Sequence, residues 1–259
     1  MSPLSGVLRE AWATYKTYAA HFLVIAFVLY LVAAAIAALL SAAFGVGGSA
    51  AAWVIDLFCM FLLQAALVKA VQDVRDGRVD LDLRGTLSAA LPYVLPVAAA
   101  SLLASIAIVV GFALLIVPGL ILLTYWSLIV PSIVIGESRA LASFGQSWRT
   151  VRGFGWNVFG TYVVVFLILI AVRIVLSIIF AVLPLAARSF IGDIVSGTLI
   201  APFIAIVVSL VYYRLTAAHM SQAPPPGYPP PGYSPPRYPT SADYPPPPTD
   251  YPPPAPPSA

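Results

Sequence analysis

Apolar residues in this chain come in long blocks that no polar position interrupts at helical or strand period. Six blocks are legible, at about 22–44, 50–69, 93–116, 119–135, 157–183 and 194–214. At about 1.5 Å of rise per residue, most of them cover the roughly 30 Å of a bilayer's hydrocarbon core as helices. Between the blocks the period changes to three and four. In residues 3–16, Leu4, Leu8, Trp12 and Tyr15 share one side of a helix. In 82–91, Leu83, Leu87 and Leu91 step by four before Pro92 interrupts. In 139–152, Leu141, Phe144, Trp148 and Val151 step by three, four and three, leaving Ser143, Gln146, Arg149 and Arg152 largely elsewhere. These three segments predict amphipathic helices lying in the membrane interface. Trp12 and Trp148 are the expected anchors at headgroup depth, with Arg149 and Arg152 turned toward anionic lipid.

The predicted fold is an all-α integral membrane domain over residues 1–220, with six transmembrane helices and amphipathic helices on one face. Gly45 to Ser49 and Pro118-Gly119 are the expected tight, uncharged turns between paired spans. Trp12 to Lys16 and Trp148 to Arg152 each precede a pair of spans, and Leu83 to Leu91 starts a weaker third copy. Three units of interfacial helix plus hairpin follow as an expectation. A secretory leader cleaved near Ser41-Ala42-Ala43 competes for the first block, but that block exceeds a leader's apolar region.

Composition agrees with the blocks. A chain of 259 residues with 61% hydrophobic and 9% charged residues, and a mean hydropathy of +0.95, is not an ordinary soluble domain. The net charge of +3 is spread between the spans, which argues against nucleic-acid binding. Its placement is topological. Arg9, Lys16, Lys69, Arg75, Arg78, Arg84, Arg139, Arg149, Arg152 and Arg214 fall on one side of the predicted membrane and Arg188 alone on the other, ten against one. The positive-inside rule then puts both termini in the cytoplasm. The single cysteine, Cys59, forms no internal disulfide.

The run Val117-Pro118-Gly119-Leu120, then Trp126, Pro131 and Glu137, then Ser147-Trp148-Arg149 and Val151-Arg152-Gly153, resembles a bacterial membrane-domain family. That family was first described as the membrane part of glycerophosphoryl diester phosphodiesterases, and it includes polytopic proteins of unknown function. The resemblance covers roughly residues 4–215 and rests mostly on packing and turn residues. It implies the membrane domain only, because the chain has no room for the soluble catalytic barrel.

Candidate chemistry is sparse. Asp56 and Arg173 are charges within predicted spans, and a bare charge at membrane depth costs about 2.5–3.5 kcal/mol on the most lenient scales. They are the candidate intramembrane pair, with a structural role favoured over a proton or substrate pathway. Gln64, Thr124, Ser127 and Ser132 could line a polar groove or bond helix to helix. His21 and His219 flank the first and last spans without a metal-ligand partner at useful spacing, and no phosphate loop or catalytic motif is present. The acids of residues 69–84 are expected in solvated salt bridges with the bases beside them. No cofactor is implied.

Residues 221–259 change character. Of 25 prolines, 18 fall in 223–259, interleaved with Tyr228, Tyr233, Tyr238, Tyr244 and Tyr251. Such a composition buries no core and predicts a disordered, locally polyproline-II tail, up to about 115 Å long at roughly 3.1 Å per residue. It is either a spacer or a multivalent docking strip for protein partners. The leading expectation is a non-enzymatic membrane scaffold or accessory subunit that touches lipid through its bundle and partners through its tail. A small transporter or lipid-handling protein is the alternative.

Overall fold

The computed structural model describes residues 3–222, apart from the side chains of 185–189. The five tail tyrosines lie outside the described residues. Every regular element described is helical: α1 (Val7–Thr17), α2 (Ala19–Asp73), α3 (Leu83–Leu114), α4 (Ile116–Tyr125), α5 (Ile129–Val134), α6 (Ala140–Val151), α7 (Gly155–Ile179) and α8 (Leu185–Gln222). Single 3-10 turns, Val74–Asp76 and Phe180–Val182, follow α2 and α7. Five described stretches are long and apolar enough to cross a membrane. The first, Ala19–Asp76, is 58 residues long.

That first stretch is not one rod. At Gly45 the backbone takes φ 56 and ψ −129, so α2 is two helical arms meeting at a kink. Without a Cβ, glycine tolerates this geometry. Three residues on, a Cβ at Gly48 would lie 1.8 Å from the Leu40 carbonyl oxygen, so the arms close tightly on each other.

The third block differs from expectation. Pro92 does not separate an interfacial helix 82–91 from a span; α3 runs unbroken through Pro92 and Pro96. The prolines are four residues apart, so the missing N–H groups leave the carbonyls of Ser88 and Pro92 unpaired along a single helical face, and the rest of the ladder continues. Asp82 caps the helix start, its carboxylate accepting from the Gly85 N–H at 2.7 Å. The neighbouring acids also serve the backbone. Asp73 accepts from the N–H groups of Asp80 and Leu81 at 3.2 and 3.1 Å, and Asp76 accepts from Arg78 at 3.1 Å. The expected salt bridges of this loop are thus replaced by turn-forming hydrogen bonds.

The turn expected at Pro118-Gly119 falls instead at Leu115, an extended residue between α3 and α4. Pro118 sits in the first turn of α4, where no intrahelical N–H is needed. Gly119 lets the helices approach: a Cβ there would lie 2.5 Å from the Phe112 ring, and one at Gly111 would lie 3.1 Å from the Gly119 Cα. The fourth block is broken at residues 126–128, between α4 and α5.

α8 is the centre of the bundle and α7 its edge, with 50% and 6% of their most apolar windows buried. α7 accordingly presents Phe166, Leu167, Ile174, Val175 and Ile178 outward, an apolar surface suited to lipid. Both short amphipathic helices pack on α8. Arg214 donates to the carbonyls of Pro3 and Ser5 and pairs with the Glu10 carboxylate, fastening α1. His219 Nε2 lies 3.0 Å from the Thr150 carbonyl of α6.

Candidate functional site

At the end of the bundle that carries the Gly45 kink, the two arms of α2 meet α7 and α8 around a cleft of about 680 Å³. Tyr30, Trp53 and Asp56 of α2, Arg173 of α7 and Asp193 of α8 line it. Gly197 on α8 makes room: a Cβ there would sit 2.4 Å from the Tyr30 ring. Asp56 and Arg173, the two charges singled out within predicted spans, therefore share one cleft. Arg173 nevertheless pairs with Asp193, at 3.4 Å, and both of these side chains are exposed. The short connection between α7 and α8 brings these two residues together, whereas Asp56 arrives from a separate pair of helices. Asp56 carries no hydrogen bond or ion pair among the described residues, so the cleft is lined by two carboxylates and one guanidinium, of which one carboxylate is paired.

A second groove, of about 690 Å³, opens between α4, α6 and α7. Its walls combine aliphatic side chains with the aromatic rings of Tyr125, Trp148, Trp156 and Phe159. The Tyr125 and Trp148 rings are 4.3 Å apart. Of the four polar residues expected in one groove, Thr124 alone lines this one. Its hydroxyl donates to the Leu120 carbonyl, and that of Ser127 donates to the Thr124 carbonyl, each at 2.8 Å. Gln64 is half-buried on α2 and lines neither opening. Thr124 bonds back within the last turn of α4 and Ser127 does so from inside the break, each to a carbonyl of its own segment.

The inner face of α6 is not the apolar stripe read from its spacing. Leu141 is 74% exposed, while Ser143, Ser147, Thr150 and Val151 are buried. Ser147 enters the break between α4 and α5. Its Oγ donates to the Tyr125 carbonyl at 2.7 Å and accepts from the Leu128 N–H at 3.2 Å. Beside it, Gln146 Nε2 donates to the Tyr212 hydroxyl at 2.9 Å and its Oε1 accepts from the Ser138 hydroxyl. The signal for this face was present as Ser143, Ser147 and Thr150, small polar residues stepping by four and three. Arg149 and Arg152 are exposed.

On α1 the buried residues are Val7 and Ala11, a face rotated from the expected one, and Trp12 is 52% exposed. Trp12 stacks on Tyr15 with ring centroids 5.8 Å apart and meets Phe203 of α8 edge-on. The Tyr15 hydroxyl donates to the Leu199 carbonyl at 3.1 Å, and burial pushes its pKa up.

A family model described as a domain of unknown function, DUF7847, matches residues 83–223, more than half of the chain. No curated protein and no solved structure matches it. Nothing in these comparisons links the chain to glycerophosphoryl diester phosphodiesterase membrane domains.

Proposed function

We propose that this chain, which belongs to the DUF7847 family, is a non-enzymatic membrane scaffold or accessory subunit whose bundle contacts lipid while its C-terminal segment gathers protein partners. The observation that carries the reading is the concentration of 18 of 25 prolines, with five interleaved tyrosines, in residues 223–259. Repeated proline and tyrosine units suit aromatic-lined grooves, and several weak contacts on one strip reinforce each other. In this reading α2 contributes two crossings at its Gly45 kink, giving six spans. The helices group as three hairpins, the first and third each preceded by a separate short helix (α1, α6) and the second carrying its amphipathic segment as the start of α3. The protein sits in a bacterial plasma membrane with both termini cytoplasmic and with Trp12, Trp148, Arg149 and Arg152 at the inner surface. The kinship with the membrane part of glycerophosphoryl diester phosphodiesterases belongs to the same proposal, without the phosphodiesterase activity.

Mild extraction of the full-length protein beside a version ending at Gln222, followed by mass spectrometry of co-purified proteins, tests the scaffold. Specific proteins retained only by the full-length chain support it. Identical partner sets, or none with either version, remove it. The cleft holding Asp56, Arg173 and Asp193 favours a second reading, a lipid-handling protein or small transporter.

A further inference from the structure

Arg173 stands at a junction. On one side it lines the polar cleft with Tyr30, Trp53, Asp56 and Asp193. On the other it lines an apolar groove of about 420 Å³ walled by Phe166, Leu169, Ile170 and Ile174 of α7 and Ile200 of α8. A ligand that occupies both must join an apolar chain to a charged head.

The walls specify the head. Arg173 meets Asp193 through one nitrogen only, at 3.4 Å, so other donors of its planar fork stay available for a phosphate oxygen. Asp56 has no partner of its own among the described residues and shares the cleft with the Trp53 indole. A carboxylate and an aromatic face together suit an ammonium, the first through hydrogen bonds and the second through its quadrupole. A quaternary ammonium has no N–H to give Asp56, and a glycerol head has no cation. We propose that cleft and groove together bind a glycerophospholipid with a phosphoethanolamine head. Its acyl chain lies along α7, its phosphate at Arg173 and its primary ammonium at Asp56. This deepens the lipid-handling reading and is independent of tail-borne partners.

The test is native mass spectrometry of the full-length protein in mild detergent. It is titrated with phosphatidylethanolamine, phosphatidylcholine and phosphatidylglycerol of matched chains, and with glycerophosphoethanolamine as the head alone. Phosphatidylethanolamine is expected to be retained at least about tenfold over the other lipids, and the head alone is expected not to bind at the same concentration. Asp56→Asn, which removes no hydrogen bond or ion pair found in the fold, is expected to erase the preference over phosphatidylcholine. Arg173→Gln is expected to weaken retention of phosphatidylethanolamine. Equal retention of all three lipids, head-only binding as tight as the lipid, or an undiminished preference in Asp56→Asn overturns the proposal. Selectivity for a different head overturns this site while leaving lipid handling in place; absence of any lipid selectivity removes both.

Discussion

Replacing Ser147 with alanine deletes one hydroxyl and strands two backbone groups. Leu128, whose N–H bonds to Ser147 Oγ, is fully buried, and the Tyr125 carbonyl loses its donor at the same moment. An unsatisfied buried group costs about 1–3 kcal/mol, and the half-buried carbonyl contributes toward the low end. The expected loss is about 2–3 kcal/mol. At roughly 2–4 °C per kcal/mol for a domain of this size, the apparent Tm falls by about 4–12 °C. Ser143→Ala is the matched control, because Ser143 is equally buried on the same helix but donates only to the Ala140 carbonyl of its own first turn. Its cost is expected below about 1 kcal/mol. Trp126 and Trp148 flank the break, so tryptophan fluorescence in detergent at one scan rate reports both variants. Equal midpoints for the two variants would refute the claim that Ser147 holds the broken helix.

Other expectations concern single contacts. Gly197→Ala forces a Cβ into the Tyr30 ring and is expected to lower stability by about 1–3 kcal/mol, read as a lower apparent Tm. Gly119→Ala does the same against Phe112, and here hydrogen exchange is expected to rise in α3 and α4 first. Arg214→Gln releases the carbonyls of Pro3 and Ser5 and the Glu10 carboxylate, so exchange in Val7–Thr17 is expected to accelerate while α3 is unchanged. Tyr15→Phe carries a pH signature. Because burial raises the Tyr15 pKa, the neutral hydroxyl favours the fold; the stability gap to Tyr15→Phe should hold below about pH 10 and shrink as pH rises further.

Long apolar runs are a coarse signal, and they made the helical, membrane-compatible class legible from composition alone. The finer signals failed for identifiable reasons. Periodicity reports which face of a helix is apolar, but in a bilayer the apolar face can meet lipid while small polar residues pack inward. α6 follows that logic, with Leu141 outward and Ser147 inward. α3 hid its continuity behind Pro92 because proline is a reliable breaker only where the lost hydrogen bond cannot be spared. Asp56 and Arg173 stood out as rare charges, and the fold does bring both to one cleft. Asp193 reads in the sequence as part of a charged turn before the last span, and only the α7 and α8 hairpin places it opposite Arg173.

The clasp between Arg214 and the N-terminal segment bears on how the chain is made. Residues 3–10 precede Arg214 by more than 200 residues, so their carbonyls and carboxylate find their guanidinium only once α8 is made. Until then the Val7 and Ala11 face has no α8 to rest on. Fastening of the first helix is thereby coupled to synthesis of α8. A chain that stops short of Arg214 leaves its first helix unfastened.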